Sequence, residues 1–221
     1  MKRVPEPELM EGREQARAYA HADFEEPHSR FLRLLQDTSP IREVGPWVVD
    51  LGCGSADISI RVAKAYPDCR VHGVDASRAM LDYGRQAIRE AGLEDRVQLH
   101  SGYLPGVTLP RSNYDTIVSN SLLHHLPDPM ILWREIHRLS RPGSGIFVMD
   151  LLRPDSRRQA RELVRDYCGD EPEILQRDFY HSLLAAYRPD EIFDQLREAD
   201  LEHLEVRIVS DRHMVVAGRV P

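Results

Sequence analysis

Short apolar runs alternate with longer segments in which apolar residues recur at helical spacing over most of the chain. The longer segments predict amphipathic helices, because a helix places residues three and four positions apart on one face. Strands that alternate with helices predict an α/β fold with a doubly wound, mostly parallel sheet and right-handed crossovers. Five runs have the length and composition of buried strands: 46–51, 70–75, 96–101, 114–119 and 145–151.

The last part of the chain departs from this alternation. After a helix predicted over 189–199, two strand-like runs near 203–209 and 213–219 are separated by only three polar residues. A link this short cannot make a parallel crossover, so the two strands must be antiparallel. The prediction is a seven-stranded sheet that ends in a C-terminal antiparallel hairpin.

The pattern predicts a single domain over 1–221 with four parts. These parts are an N-terminal helical lid at 1–44, a ligand-binding core at 45–151, a helical insertion after strand 5 at 152–188, and a C-terminal helix and hairpin at 189–221. The lid would contain helices at 8–20 and 26–36. Because open α/β sheets bind ligands at the carboxyl ends of their strands, lid and insertion are expected to cover the site together. We expect deletion of 1–35 to leave the sheet folded and to abolish activity.

The segment Asp50-Leu51-Gly52-Cys53-Gly54 carries the strongest chemical signal, because it links the first predicted strand to a helix predicted to start near Ser55. Glycine has no Cβ, so the backbone can turn sharply and let a ligand approach closely. The following helix directs unpaired N–H groups towards the same place. The second predicted strand ends in Asp75, whose carboxylate could accept hydrogen bonds from two ribose hydroxyls. These features predict half of a nucleotide-binding α/β unit.

The acids around this turn favour a cationic ligand over a dinucleotide. A dinucleotide fingerprint has a third small residue where this chain has Asp57, and Asp50 stands just before the turn. Two carboxylates would repel a diphosphate and suit a sulfonium or an ammonium group. The pattern Asp50-Leu51-Gly52-Cys53-Gly54 followed by Gly73-Val74-Asp75 resembles class I, Rossmann-like S-adenosylmethionine-dependent methyltransferases of the small-molecule type.

The resemblance implies S-adenosylmethionine as the cofactor and a role for each residue around it. Gly52 and Gly54 would line the methionine part, Asp50 would hold the amino end, and Asp75 would accept the ribose hydroxyls. Cys53 lies inside the turn, where its small side chain fits. The remaining cofactor-binding residues implied are Ala76, Met80, Gly102, Tyr103 and Asn120.

One of these positions departs from the family pattern. Many members carry an acid after the third strand that binds the adenine amino group, whereas this chain has Ser101-Gly102-Tyr103-Leu104. Tyr103 would lie beside the adenine while a backbone carbonyl accepts a hydrogen bond from the adenine amino group. Alternatively, Tyr103 would only pack against other side chains of the protein.

The segment after the fourth strand supplies candidate catalytic residues. Its sequence, Ser119-Asn120-Ser121-Leu122-Leu123-His124-His125-Leu126, resembles the corresponding run in small-molecule methyltransferases. His124 or His125 could remove a proton from an acceptor at neutral pH, with His124 preferred; the alternative is a helix cap or a packed ring. We predict no metal, because adjacent side chains on a helix diverge.

Aromatic residues in the predicted cover are candidates for contact with the acceptor. Tyr19 in the lid is the preferred one, because aromatic residues in the N-terminal cover of similar enzymes often close over the methyl group. The other candidates are His21, Tyr180 and His181.

Composition limits the partners and the compartment. With 221 residues, 42% of them hydrophobic, the chain can form one sizeable domain, and we find neither a signal peptide nor a membrane-spanning run. A net charge of −7 disfavours nucleic acid, since phosphate neutralisation needs a basic face. Three widely spaced cysteines suit a reducing compartment, so we predict a cytoplasmic protein that acts on a small molecule without nucleic acid or membrane partners.

The sequence leaves several functions open. The acceptor atom could be O, N, S or an activated carbon, and a protein acceptor is an alternative to a small molecule. The chain could also bind S-adenosylmethionine and rearrange or sense it without transfer, or be an NAD-dependent oxidoreductase. Oligomeric state cannot be read from the sequence.

Overall fold

The computed structural model describes residues 1–6, 12–38, 41 and 43–221. Its strands are β1 (Trp47–Leu51), β2 (Arg70–Asp75), β3 (Val97–Ser101), β4 (Thr116–Asn120), β5 (Gly145–Leu151), β6 (Glu205–Ile208) and β7 (His213–Arg219). They form one seven-stranded sheet in the order β3-β2-β1-β4-β5-β7-β6. Strands β1 to β5 pair in parallel, and β7 is antiparallel to both β5 and β6. The predicted fold class is therefore confirmed, including the C-terminal hairpin.

The helices of the described part are α1 (Arg13–His21), α2 (Glu25–Asp37), α3 (Asp57–Ala65), α4 (Arg78–Glu90), α5 (Met130–Leu139), α6 (Arg157–Cys168), α7 (Glu173–Ala185) and α8 (Pro189–Glu198). Residues 8–11 of the predicted first helix lie outside the described residues. No described helix is long and apolar enough to cross a membrane.

The sheet is covered on both faces, which explains why its central strands read as continuous apolar runs. Val49 packs with the side chains of α5 and α8 on one face, while its neighbour Val48 packs with those of α2 and α3 on the other. Strand β5 is buried along its whole length. Burial on both faces holds the strand ends in fixed positions.

Helix α2 belongs to this core as well as to the cover. Phe31 and Leu35 are fully buried, and the Phe31 ring meets the Phe147 ring of β5 edge-on at 4.9 Å between centroids. This corrects the expectation that 1–35 is only a lid, because deletion to residue 35 would remove core side chains. Helix α1 lies over the site against α4 and α7.

The sheet brings distant polar residues to one edge. Leu51 near the end of β1 pairs with Val74 of β2 on one side and with Ser119 of β4 on the other. The chain order therefore reverses between β1 and β4, and crevices for ligands form at such switch points. Helices α6 and α7 of the insertion pack on each other above the end of β5.

Candidate active site at the carboxyl edge of the sheet

A cavity of about 620 Å³ opens at this edge, which is within the usual range for small-molecule sites. Its floor consists of the ends of β1, β2 and β4, and its cover comes from α1, the loop after α1, and α7. All of the residues predicted to bind the cofactor line it: Asp50, Gly52, Cys53, Gly54, Asp75, Ala76, Met80, Gly102, Tyr103 and Asn120.

The glycine turn needs the conformations that its sequence supplies. Gly52 and Gly54 have φ values of +75° and +52°, and a Cβ on Gly52 would lie 2.9 Å from the side chain of Leu122. Ala56 is also left-handed, with φ of 67°, so the next helix begins at Asp57 and not near Ser55 as predicted. The backbone of the glycine turn therefore lines the cavity, where a ligand can approach it closely.

Asp75 holds the turn in place while it lines the cavity. One of its carboxylate oxygens accepts the Gly54 N–H at 2.9 Å, and the other accepts the Ser77 N–H at 2.8 Å. Burial raises the pKa of Asp75 above its ordinary value, although these backbone hydrogen bonds oppose the shift. Ser77 caps α4 by accepting the N–H of Met80, so the side chain of Asp75 is not the cap of this helix.

The two other acids near the turn, Asp50 and Asp57, differ in their partners and in the direction of their pKa shifts. Asp50 is buried and accepts a hydrogen bond from the Ser59 hydroxyl at 2.6 Å; burial raises its pKa to about 7. Asp57 contacts His28 and Arg61, each at 2.6 Å, and although burial alone would raise its pKa, these partners lower it. Asp57 is thus already paired within the protein, with Arg61 as its cationic partner, and Asp50 is the acid whose charge a ligand can change.

Two further cavity residues differ in exposure. Tyr103 lies at the rim of the cavity with 58% of its surface exposed. Asn120 lies at the end of β4, and among the described residues its buried Oδ1 has no hydrogen-bond partner. An unpaired buried carbonyl oxygen costs free energy unless a ligand donates to it.

His124 forms a buried pair with an acid that the sequence analysis missed. It belongs to a short 3₁₀ helix, Leu123–His125, and its Nδ1 lies 2.6 Å from Oδ1 of Asp150 on β5. The second oxygen of Asp150 accepts the Leu123 N–H at 2.8 Å. Burial alone would raise the pKa of Asp150, but the charge and hydrogen bond of His124 lower it. Asp150 lies near the carboxyl end of a predicted strand, and this position could have identified it as a site residue from the sequence.

His125 forms a second pair, with Glu6 of the N-terminal segment. Its Nδ1 lies 2.9 Å from Oε2 of Glu6, which also accepts from the Ser182 hydroxyl. The rings of His124 and His125 lie side by side, 4.1 Å apart between centroids. The expected divergence of adjacent side chains is therefore wrong here, since the segment is a 3₁₀ turn held by two acids. No sequence signal pointed to Glu6.

The potential ligand atoms of Glu6, His124 and His125 all lie within 4.8 Å of one another, close enough for a metal ion. Both imidazoles already use Nδ1 for a carboxylate. The prediction that no metal binds remains a prediction.

Of the aromatic candidates predicted to contact the acceptor, some line the cavity and others do not. Tyr19 lines it and stacks on Phe24 at 5.8 Å, and burial raises the pKa of Tyr19 above its ordinary value. Tyr180 and His181 point elsewhere, because α7 turns Leu175, Phe179 and Ser182 towards the cavity instead. The side chain of His21 lies outside the described residues.

Comparisons with known proteins agree with this architecture. A family model described as a methyltransferase domain matches residues 43–195. The 27-O-demethylrifamycin SV methyltransferase of Amycolatopsis mediterranei (strain S699) is 29% identical over 182 residues, which are 82% of this chain and 62% of that protein. A demethylmenaquinone methyltransferase of Listeria welshimeri is 34% identical over 136 residues, which are 61% of this chain and 54% of that protein.

Among solved structures, the plantazolicin methyltransferase BpumL in complex with SAH superposes with a TM-score of 0.68 at 14% identity, covering 93% of this chain and 90% of that one. The chain belongs to the methyltransferase-domain family, and its fold is the one found in class I, Rossmann-like S-adenosylmethionine-dependent methyltransferases. It spans about three fifths or less of the two curated relatives named above.

Proposed function

We propose that this protein transfers a methyl group from S-adenosylmethionine to a small-molecule acceptor. The observation that carries the proposal is that one cavity is lined both by the glycine turn that Asp75 holds and by His124, whose Nδ1 is paired with Asp150. A cofactor cradle and a base oriented by an acid are the two parts that such a transfer needs.

The residues of the cradle fit S-adenosylmethionine. Asp75 uses one lone pair of each oxygen on the backbone, so each oxygen can still accept a ribose hydroxyl. Asp50 and the unpaired Oδ1 of Asn120 suit the cationic amino end of the methionine part. Ala76 and Met80 offer an apolar wall to the adenine.

When bound, the cofactor supplies an activated methyl group on a sulfonium. The protein orients the acceptor, excludes water and provides a base. Asp150 accepts the Nδ1 proton of His124, which leaves Nε2 with a lone pair for the acceptor proton. Asp150 stays ionised and stabilises the imidazolium that forms. Tyr19 and Phe24 cover the site and exclude water.

A small-molecule acceptor is supported by the lining of the cavity. The part of the cavity proposed to hold the acceptor is apolar. It is lined by Phe24, Leu122, Leu126, Leu175 and Phe179. The two relatives described above are named as methyltransferases of demethylrifamycin SV and demethylmenaquinone, which are both small molecules. The atom that is methylated is an oxygen in our proposal, because a base is built into the site.

The test uses the purified full chain. We expect calorimetry to detect binding of S-adenosylhomocysteine, and a coupled assay to detect its formation from S-adenosylmethionine when phenolic acceptors are supplied. Binding of NADH with no response to S-adenosylhomocysteine would refute the proposal in favour of an oxidoreductase.

Two alternatives give other results in the same assay. A protein methyltransferase would label polypeptides in an extract with methyl groups from tritiated S-adenosylmethionine and ignore small acceptors. A protein that binds or rearranges the cofactor without intermolecular transfer would bind S-adenosylhomocysteine but label neither class of acceptor.

A cytoplasmic location is also part of the proposal. It is supported by Cys53, Cys69 and Cys168, all of which are free thiols in the structure.

A further inference from the structure

Two histidines that line the cavity are each paired with a carboxylate, and the proposed methyl transfer uses only one of these pairs. His124 is paired with Asp150 at 2.6 Å and His125 with Glu6 at 2.9 Å, while the two rings lie 4.1 Å apart. Both rings line the cavity. A carboxylate that accepts from Nδ1 selects the tautomer whose Nε2 carries a lone pair. The site therefore presents two neighbouring hydrogen-bond acceptors.

The second pair is anchored by the N-terminal segment. Val4 donates its N–H to the Leu184 carbonyl at 3.0 Å, and the Arg3 guanidinium donates to the carbonyls of Ala185 and His124 at 2.6 and 3.1 Å. These hydrogen bonds hold the N-terminal segment in a position where Glu6 contacts His125. Only 10% of the Glu6 side chain remains exposed there. Burying a carboxylate is costly unless it is paired, so this placement is stabilised by His125 and Ser182.

The surroundings of His125 disfavour the charged form of its ring. Burial and the repulsion of His124 lower the pKa of His125, and Glu6 opposes this shift only in part. Burial alone would raise the pKa of Glu6, but its contact with His125 lowers it, so the carboxylate stays ionised. His125 is therefore the ring that stays neutral and accepts a hydrogen bond. His124, whose Nδ1 is held by Asp150, is the base of the proposed transfer.

Resting on the proposed function, we infer that the acceptor carries two hydroxyl groups on neighbouring carbon atoms, as in a catechol or another largely apolar vicinal diol. One hydroxyl gives its proton to Nε2 of His124 and is methylated, and the other donates to Nε2 of His125. Two rings whose centroids lie 4.1 Å apart suit an acceptor whose two oxygens are equally close neighbours. His125 is a specificity-determining residue in this arrangement, and Glu6 is a positioning residue that acts through it.

The experiment compares 2,3-dihydroxynaphthalene with 2-naphthol, which differ by one hydroxyl. Calorimetry on the full chain saturated with S-adenosylhomocysteine should show about tenfold tighter binding of the diol, the value of one good hydrogen bond. His125→Phe and Glu6→Leu should reduce this preference to about twofold or less. Val4→Ala, on the same segment but with an exposed side chain, should keep it.

Several outcomes would overturn the inference. These are equal affinity of the wild type for both probes, binding of neither, or an undiminished preference in His125→Phe. Loss of the preference after treatment with a chelator would also overturn it, in favour of a metal held by Glu6, His124 and His125. Nitrogen-15 spectra of the histidine rings give a second test, since both should be protonated at Nδ1; an Nε2–H tautomer of His125 would contradict the geometry.

Failure of this inference differs from failure of the proposed function. If 2-naphthol is methylated as fast as the diol, methyl transfer stands and the paired-hydroxyl acceptor is wrong. If the protein does not bind S-adenosylhomocysteine at all, the proposed function itself is wrong.

Discussion

The carboxylate of Asp75 accepts the backbone N–H of Gly54 at 2.9 Å and so joins the end of β2 to the glycine turn that follows β1. The same carboxylate lines the cavity where the ribose is proposed to lie. A residue proposed to bind the ligand therefore also shapes the loop that binds it, and the two effects cannot be separated in the free energy of binding.

Replacement of this residue is the first prediction. Asp75→Asn should weaken binding of S-adenosylhomocysteine by about 1.5–3 kcal/mol, roughly 10- to 150-fold, because hydrogen bonds to a charged group are lost. Calorimetry measures the change. Asp82→Asn, an exposed acid on α4, is the matched control and should bind as the wild type does. Wild-type affinity in Asp75→Asn would rule out the ribose contact.

The second prediction concerns the pH dependence of cofactor binding. The pKa of Asp50 is raised to about 7 by burial, so the free protein holds this carboxyl partly protonated near neutrality. A ligand ammonium favours the ionised form, so binding should release a proton and affinity should fall as pH drops below about 7. Calorimetry in buffers of different ionisation enthalpy counts the proton.

Asp50→Asn should flatten this dependence. Asp75 also has a raised pKa and faces the same cavity, so a dependence that survives in Asp50→Asn would assign the proton to Asp75 instead.

The third prediction concerns the base. His124→Gln should lower kcat by about 10²- to 10⁴-fold, the usual contribution of a general base, and leave the affinity for S-adenosylhomocysteine within about twofold. Asp150→Asn should lower kcat as well, because Nδ1 of His124 loses the acceptor that fixes its tautomer. Identical pH–rate profiles in wild type and His124→Gln would mean that the imidazole is structural. Circular dichroism controls for folding.

The fourth prediction tests how tightly the turn packs on β2. A Cβ on Gly73 would lie 2.8 Å from Sγ of Cys53 and 2.7 Å from Cδ2 of Leu99. Gly73→Ala should therefore cost about 1–3 kcal/mol of unfolding free energy, as overpacking of a core does. Adding Cys53→Ala should recover part of the loss, which a denaturant-based double-mutant cycle would reveal as coupling. Additive effects would mean that the two residues do not touch.

The fifth prediction concerns stability in acid. Burial lowers the pKa of His72 to about 4 and that of His213 to about 3, so both rings are neutral in the folded protein. The unfolded chain takes up protons near pH 6.5, and the folded chain does so only below about 4, so stability falls as pH drops through this window. Thermal melts between pH 4.5 and 8 should show it. His72→Gln, which retains a partner for Tyr114, should lose less stability in acid.

Much of the fold follows from local sequence. Strand and helix periodicity predicted the parallel core and the short link predicted the antiparallel hairpin, because each depends on residues close together in the chain. The misplaced start of α3 shows the limit of this reasoning, since propensity alone does not predict the left-handed backbone of Ala56. The dual role of α2 was also missed, because an amphipathic pattern does not say what its apolar face will meet.

The candidate site divides in the same way. The sequence by itself determined the glycine turn, Asp75, and the histidine pair after β4, because these are contiguous motifs whose chemistry depends on spacing along the chain. Only the tertiary structure decided that His124 pairs with Asp150, 26 residues away, and that His125 pairs with Glu6 of the N-terminal segment. The physical reason is that side-chain pairing depends on which strand and helix ends the fold brings together, and hydrophobic burial, not local pattern, decides that.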